Sequence, residues 1–581
     1  MRKPICKNIL FFIFMYALGA LCITVTTDRG YAPFFYKLFF ELFFDLYILC
    51  CILSLLPSRI RLFSSWALAI IFYLLAIIDL FCFVRLSSSF SPGLLQLIIE
   101  TNIQESEEFF SAYISPSLFL SPIGIIILLA IVHIITSIYY KIPVNITLTR
   151  KREKIINGII IILFSFGFYV GIKNKYYIVK TWQFKTMGQV EQFFSNEYYA
   201  RRALYLPIHR TIFAIYANRL VNKEVVILQH TMENSKIDSC SYSSPNIILI
   251  IGESYNKHHS QLYGYQLPTT PLQKQREQEK DLFVFSDAVT PYNLTSEVFK
   301  NAFSLNNLTK HESWCDKPMF TNLFKKAGYQ VVFLSNEFVI KQQKDIADFT
   351  GGMFLNNPIL SKLQFDIRNE KTHQYDEGLI NDYHSLCSQR QSNYRLIIFS
   401  LLGQHTEYAE RFPREFARLQ PKDYLRKDLN KVQLQVVVDY DNATLYNDYI
   451  VDKIVKLYEQ DDAIVIYMPD HGDECYDQNM TCGRQHSDPV TKDVAINEYE
   501  IPFWIWCSKR YRQLHPTIVK QIQESTNRRF YSDDLSHLML YLGGISCKDY
   551  NSELNIISPS YNNKRERILR KSTNYDQLFD R

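Results

Sequence analysis

Three apolar runs in the second half of the chain end in side chains able to hold a metal. "NIILIIGE" ends in Glu253, "YRLIIFSLLGQH" in His405, and "AIVIYMPDHGDE" in Asp470, His471, Asp473 and Glu474. A fourth polar cluster, "GRQHSDP", adds His486. Carboxylates combined with imidazoles suit zinc or another divalent ion. An Asp-His pair directly after a buried strand can turn both side chains toward one centre. Singly, each has an ordinary explanation, since Asp-His-Gly is common turn chemistry and a lone histidine is more often structural. Glu, Asp and His at several strand ends together point to a metal site.

Such a site needs a group to activate. "SDAVTPYNLTSEVFKNAFSL" offers Thr290, Thr295 and Ser296, the last two at the expected start of a helix with Glu297 in its first turn. A hydroxyl there has helix amides nearby for a phosphate oxygen, and a metal would lower its pKa and make it a nucleophile. An ordinary helix cap fits the same residues, and the pattern alone does not choose among the three.

The elements that must carry these residues alternate. Short β-rich runs at 247–251, 282–285, 331–334, 396–399, 464–468 and 503–506 are separated by amphipathic stretches such as "YDNATLYNDYIVDKIVKLYEQ". Near-continuous apolar strands between helices imply a mainly parallel sheet covered by helices on both faces. Ligands of such sheets bind at the carboxyl ends of the strands.

With 581 residues the chain exceeds one ordinary domain. Five stretches of the first third, near 8–26, 34–56, 65–84, 118–140 and 155–172, are apolar enough to cross about 30 Å of hydrocarbon as helices. The first has the basic start of a signal peptide, but its long core and the four spans after it favour an uncleaved helix. Basic residues collect before the first span (Arg2, Lys3, Lys7), after the second (Arg59, Arg61) and before the fifth (Lys141, Arg150, Lys151, Arg152, Lys154). That bias places the N-terminus in the cytoplasm and everything after about residue 173 outside it. The expected divisions are 1–172 as a transmembrane domain with an exported amphipathic loop at 86–117, 173–244 as a linker near the membrane surface, and 245–581 as an exported catalytic domain. Within the spans, Lys37, Glu41 and Asp45 share a helical face, with Lys37 and Glu41 expected to pair, and Asp79 lies late in the third.

The net charge of +5 is largely this topology signal, and no basic stripe with interleaved aromatics suggests nucleic acid. Five of the twelve cysteines lie in the membrane part and seven beyond it. Export permits disulfides, and proximity singles out Cys475 and Cys482.

Five spans followed by "GES…LYGY", "TPYNLT", "GQHTEYAERFP", "YDNATLYNDYI", "PDHGDE" and "EIPFWIW", in that order, resemble the lipid A phosphoethanolamine transferases, membrane enzymes of the alkaline phosphatase superfamily. The resemblance implies an alkaline phosphatase-like fold, one catalytic zinc and room for a second. It assigns the metal to Glu253, Thr295, Asp470 and His471, with Thr295 as nucleophile in front of a helix ending at Ser304. His405 and His486 fall where the family binds the transferred phosphate or a second zinc.

The implied reaction is ping-pong. Phosphoethanolamine passes from phosphatidylethanolamine to Thr295 and then to lipid A, in the bacterial inner membrane with the catalytic domain in the periplasm. The enzyme is expected to act as a monomer. Added ammonium groups would weaken the binding of cationic peptides to the lipopolysaccharide.

Three features depart from the family. Gly252-Glu253-Ser254-Tyr255-Asn256 stands where Gly-Glu-Thr-Ala-Arg is usual, so an arginine is missing near the site. Gln404 and Thr406 replace the usual Ser and Gly beside His405, and "RQHSDP" differs from the usual Tyr-Leu-His-Gly. Ser254 lacks a Gly-x-Ser-x-Gly elbow, so local hydrogen bonding is expected of it. His258 and His259 read as surface or pocket-rim residues. Rival readings are glycerophosphate or phosphoethanolamine transfer to another envelope glycan or protein, and a non-catalytic lipid sensor. The Cys/Ser-x-Pro-x-Arg motif of sulfatases does not occur in the chain.

Overall fold

A computed structural model describes residues 2–580 apart from 28–31, 87–88, 91–94, 96–115, 140–148, 197–202, 311, 340–352, 388–391, 479–480 and 486–488. Most of the expected amphipathic loop at 86–117 thus lies outside the described residues. The described residues form two compact units, 2–222 and 223–580. The boundary falls inside α6, the helix Pro207–Asn234.

In the first unit, five described helices are long and apolar enough to cross a membrane: α1 (Ile9–Thr26), α2 (Ala32–Leu55), α3 (Ser58–Leu86), α4 (Pro122–Tyr139) and α5 (Arg150–Thr181). The shortest have 18 residues, about 27 Å at ~1.5 Å per residue. Helix α5 outruns its apolar core because "KNKYYIVKT", though polar, contains no glycine or proline to stop it. Gly167 and Gly171, one turn apart on α5, let it press against α2. A Cβ on Gly167 would lie 2.3 Å from the Phe40 carbonyl oxygen, and one on Gly171 would lie 2.8 Å from the Glu41 side chain.

That close approach corrects the expected ion pair. Glu41 takes its partners from α5 rather than Lys37: Lys175 Nζ lies 2.7 Å from Glu41 Oε1 and 2.6 Å from Asp45 Oδ2, and Asn174 donates to Glu41 Oε2 at 2.6 Å. A lysine one turn before a glutamate is the weaker orientation on a helix, and Glu41 is buried on the side facing α5. Asp79 is also buried and paired, accepting from Arg210 Nε at 2.8 Å and from the Phe90 N–H at 3.0 Å.

The second unit is built on a seven-stranded sheet. In chain order its strands are β1 (Asn246–Gly252), β2 (Leu282–Phe285), β3 (Gln330–Ser335), β4 (Ile367–Arg368), β5 (Arg395–Ser400), β6 (Ala463–Pro469) and β7 (Phe503–Cys507). Their order across the sheet is β2-β7-β6-β1-β5-β3-β4. The five strands from β6 to β4 run parallel, and β7 is antiparallel to both β6 and β2.

Alternate residues of β1 serve different cores. Ile247, Leu249 and Ile251 pack with Phe299, Phe320 and Leu538 on one face, and Ile248 and Ile250 pack with Ile450, Val451 and Ile454 on the other. Burial on both faces is why the strands read as unbroken apolar runs. Two later helices matter to the site. Thr295–Phe303 is α7, and Lys431–Lys456 is α8, started by a capping box between Asn430 and Gln433.

Candidate metal centre and nucleophile

Strand register brings the acids together. Central β1 pairs with β6 so that Gly252 lies beside Pro469, and the next residues, Glu253 and Asp470, therefore leave the sheet side by side. On its other flank β1 ends beside Ser400 of β5. The chain from β5 then crosses over Glu253, with Gln404 N–H donating to the Glu253 carbonyl at 3.1 Å. Gly403 makes that crossing possible at φ +47°, where a Cβ would meet the Glu253 backbone at 3.0 Å.

Ligand atoms of Glu253, Asp470 and His471, all buried, lie within 4.8 Å of one another. His471 Nε2 is 3.1 Å from Asp470 Oδ2 and 3.8 Å from Glu253 Oε1. Its Nδ1 donates to the Gly472 carbonyl at 2.7 Å. A carbonyl only accepts, so the lone pair is on Nε2, turned into the cluster. Thr295 Oγ1 completes the group at 3.3 Å from both Glu253 Oε2 and His471 Nε2.

The structure separates the three hydroxyls that the sequence left open. Thr290 donates to the Tyr292 carbonyl at 3.3 Å, away from the cluster. Thr295 is the first residue of α7, after Leu294 in the cap position, so its side chain does not cap the helix. Ser296, the next residue, is buried.

The donor set fits a divalent cation. Asp470 Oδ2 is buried without a hydrogen-bond partner, although the other oxygen accepts from the Ser254 and His471 amides at 3.0 and 2.7 Å. Burial, reinforced by neighbouring Glu253, pushes the Asp470 carboxyl well above its usual range. Burial would raise Glu253 too, but His471, His405 and Arg484 bring it down to about 2. Burial and the Arg484 charge lower His471 to about 3 and keep it neutral. Two crowded acids, one unsatisfied oxygen and an imidazole lone pair are what a zinc ion would complete.

His405 follows β5, half-buried, with Nδ1 3.3 Å from the Thr406 hydroxyl. His486 lies outside the described residues.

Sequence reasoning missed Arg484. Its Nη1 donates to His471 Nε2 at 3.0 Å and to the Asn293 carbonyl at 3.2 Å. A guanidinium thus reaches the site from the loop after Asp-His-Gly, while Asn256, at the family's arginine position, is buried and donates to the Asp473 carbonyl at 3.0 Å. The signal was an arginine two residues before a candidate histidine. The loop is anchored by Gln485 N–H, 2.7 Å from Glu498 Oε1, whose Oε2 accepts from Asn293 at 2.6 Å.

The segment after β1 agrees with expectation at Ser254 and departs from it at His259. Ser254, at φ +54° in the turn, donates to Glu253 Oε1 at 2.7 Å and orients it. His259 is no rim residue. It is buried between Asp441 Oδ1, 2.5 Å from Nδ1, and Asp477 Oδ2, 3.0 Å from Nε2. Only His258 keeps an exposed edge, 3.1 Å from Glu500.

Burial would lower His259, but Asp477 and Asp441 hold it well above the usual 6.5. Its contribution is therefore complete below about pH 6.5 and lost as pH rises through the raised folded-state value. Unfolding His259→Gln in denaturant near pH 6 is expected to show a loss of about 3 kcal/mol, with the gap to wild type narrowing at up to ~1.4 kcal/mol per pH unit above that. A gap independent of pH would mean that His259 is not held as an imidazolium.

Comparison with known proteins agrees with this geometry. A family model described as Sulfatase matches residues 245–545, just over half of the chain. "Phosphoethanolamine transferase EptC" of Escherichia coli K12 is 24% identical over 526 residues, 87% of this chain and 84% of the relative. "Phosphoethanolamine transferase EptA" of Helicobacter pylori is 28% identical over 308 residues, 52% of this chain and 55% of the relative. The crystal structure of the C-terminal periplasmic domain of EptC from Escherichia coli, also solved in complex with Zn, superposes with a TM-score of 0.51 at 26% identity, covering 59% of this chain and 96% of that one. The chain belongs to the sulfatase family, and it is similar along most of its length to members named phosphoethanolamine transferases.

Proposed function

We propose that this chain transfers phosphoethanolamine from phosphatidylethanolamine to lipid A through an ester on Thr295. The observation that carries the reading is the Thr295 hydroxyl, first on α7 and 3.3 Å from both Glu253 and His471. The absence of a sulfatase nucleophile motif supports transfer over sulfate ester hydrolysis.

Glu253, Asp470, His471 and Thr295 would hold one zinc, and His405 and His486 would serve the phosphate or a second ion. When bound, zinc supplies the positive charge that makes the threonine hydroxyl acidic. The chain's own groups do the rest. Thr295 Oγ gives up its proton and attacks the donor phosphorus; the bond to the diacylglycerol oxygen breaks, and that oxygen takes a proton. An acceptor group on lipid A then loses its proton and attacks the same phosphorus through oxygen; the bond from phosphorus to Thr295 Oγ breaks, and Thr295 regains a proton. Arg484 and the N-terminal amides of α7 are the donors for the phosphoryl oxygens as charge builds on them.

The five apolar helices suit an enzyme whose donor and acceptor are both lipids. The reading places a monomeric enzyme in the bacterial inner membrane, with its N-terminus in the cytoplasm and residues 245–581 in the periplasm as the catalytic part.

Mass spectrometry of lipid A and of other envelope glycans, from cells with and without the gene, tests it. A phosphoethanolamine-bearing lipid A present only with the gene is the expected result. The same increment on another glycan moves the acceptor, and unchanged spectra overturn the reading.

A further inference from the structure

The loop that follows Asp470 and His471 returns to the site through a short antiparallel bridge. Tyr476 N–H donates to the Thr481 carbonyl at 2.9 Å and Gly483 N–H donates to the Glu474 carbonyl at 2.8 Å. Cys475 and Cys482 face each other between these two bonds and so form the non-hydrogen-bonded pair of the ladder. Such a pair has Cα atoms about 4.5 Å apart and side chains on one face, inside the roughly 4.4–6.8 Å that a disulfide accepts. Nearness in sequence made this pair plausible, and the register supplies the geometry.

The two sulfurs differ in access. Cys475 is buried and Cys482 exposed, with the Tyr408 hydroxyl 3.6 Å from Cys482 Sγ. That hydroxyl also donates to Asp473 Oδ2 at 2.6 Å. The hydrogen bond from Cys475 holds the Cys482 thiol below its usual value, which suits the exposed partner to react first. Just beyond the bridge lie Asp473 and Glu474 on one side, Gly483 and Arg484 on the other.

We propose that Cys475 and Cys482 form a cross-strand disulfide, made by exchange with a protein or small-molecule disulfide, which fixes the loop that presents Arg484 to the site. The Cys482 thiolate attacks one sulfur of the donor, and that bond breaks with the electron pair leaving on the first donor thiolate. Cys475 then loses its proton and attacks the Cys482 sulfur, releasing the second donor thiol. Two protein thiols are oxidised and one donor disulfide is reduced to two thiols.

This inference rests on the reading that residues 245–581 act outside the cytoplasm and that Arg484 serves the transferred phosphate. Both cysteines lie between Lys456 and Arg484 with no lysine or arginine in the interval, so trypsin leaves them on one peptide. Full-length protein is alkylated in acid-quenched cells, and separately after purification in detergent and equilibration with oxidised glutathione. The expected peptide is two hydrogens lighter than the dithiol and carries no alkyl group. Double alkylation in both samples overturns the disulfide, whatever the lipid spectra show. A disulfide formed only in the purified protein supports the site and counts against its export.

Reduction, or the Cys475→Ser/Cys482→Ser pair, is expected to lower kcat severalfold at unchanged zinc content and with little change in KM for the donor lipid. An unchanged kcat would overturn the link to Arg484.

Discussion

Replacing Thr295 by alanine is expected to lower phosphoethanolamine transfer by about 10⁴-fold or more, as loss of a covalent nucleophile does elsewhere. The fold should survive, since Thr295 is half-buried and its hydrogen bonds to Glu253 and His471 are both long, at 3.3 Å. Zinc should remain bound through Glu253, Asp470 and His471, which keep their positions because strand register and the Gly472 carbonyl, not Thr295, place them. Purified enzyme given donor lipid without acceptor supplies a direct readout. Wild type should gain a phosphoethanolamine group on the tryptic peptide that contains Thr295, and Thr295→Ala should not. Thr295→Ser keeps an oxygen in place and should retain measurable transfer. An alanine variant with near wild-type turnover would remove Thr295 from the mechanism while leaving the metal site intact.

Stripping the metal with a chelator should abolish activity and lower Tm, both restored by added zinc. A ligand at about a thousand times its Kd stabilises the native state by ~4 kcal/mol. Asp470→Asn separates this contribution from the rest of the fold. In the metal-free protein Asp470 stands buried near Glu253 with one oxygen unsatisfied, and burial with that neighbour disfavours its ionised form, so replacing the acid by a neutral amide removes the cost of keeping or neutralising a charge there. The variant without metal should match or exceed the metal-free wild type in stability. With zinc the order should reverse, because the variant has lost a ligand. Calorimetry of both proteins with and without zinc checks the crossing; a zinc-induced shift of equal size in both would show that Asp470 does not bind the ion.

Local signals accounted for most of what the sequence revealed. Six of the sheet's strands were visible because each is an apolar run buried on both faces, and the two-residue edge strand β4 was too short to leave a pattern. Glu253, Asp470 and His471 stood out as polar residues at the ends of such runs, and the family was legible in the order of the motifs.

What escaped were pairings between distant segments. Lys175 reaches Glu41 across 134 residues and His259 reaches Asp441 across 182, so neither the true partner of Glu41 nor the burial of His259 could be read from spacing. Arg484 escaped for another reason. It lies close in sequence to His471, but only the cysteine bridge and the Glu498 anchor turn its loop back over the imidazole.

The alignment of Gly252 with Pro469 has a consequence for how this protein can change. Because side chains alternate along a strand, adding or deleting one residue within β1 or β6 would send Glu253 or Asp470 to the opposite side of the sheet. The lengths of these two strands are therefore constrained as tightly as the placement of the acids themselves, and the sheet acts as a ruler for the reaction centre. Variation in length can accumulate in the segments between strands, where it leaves that measure unchanged.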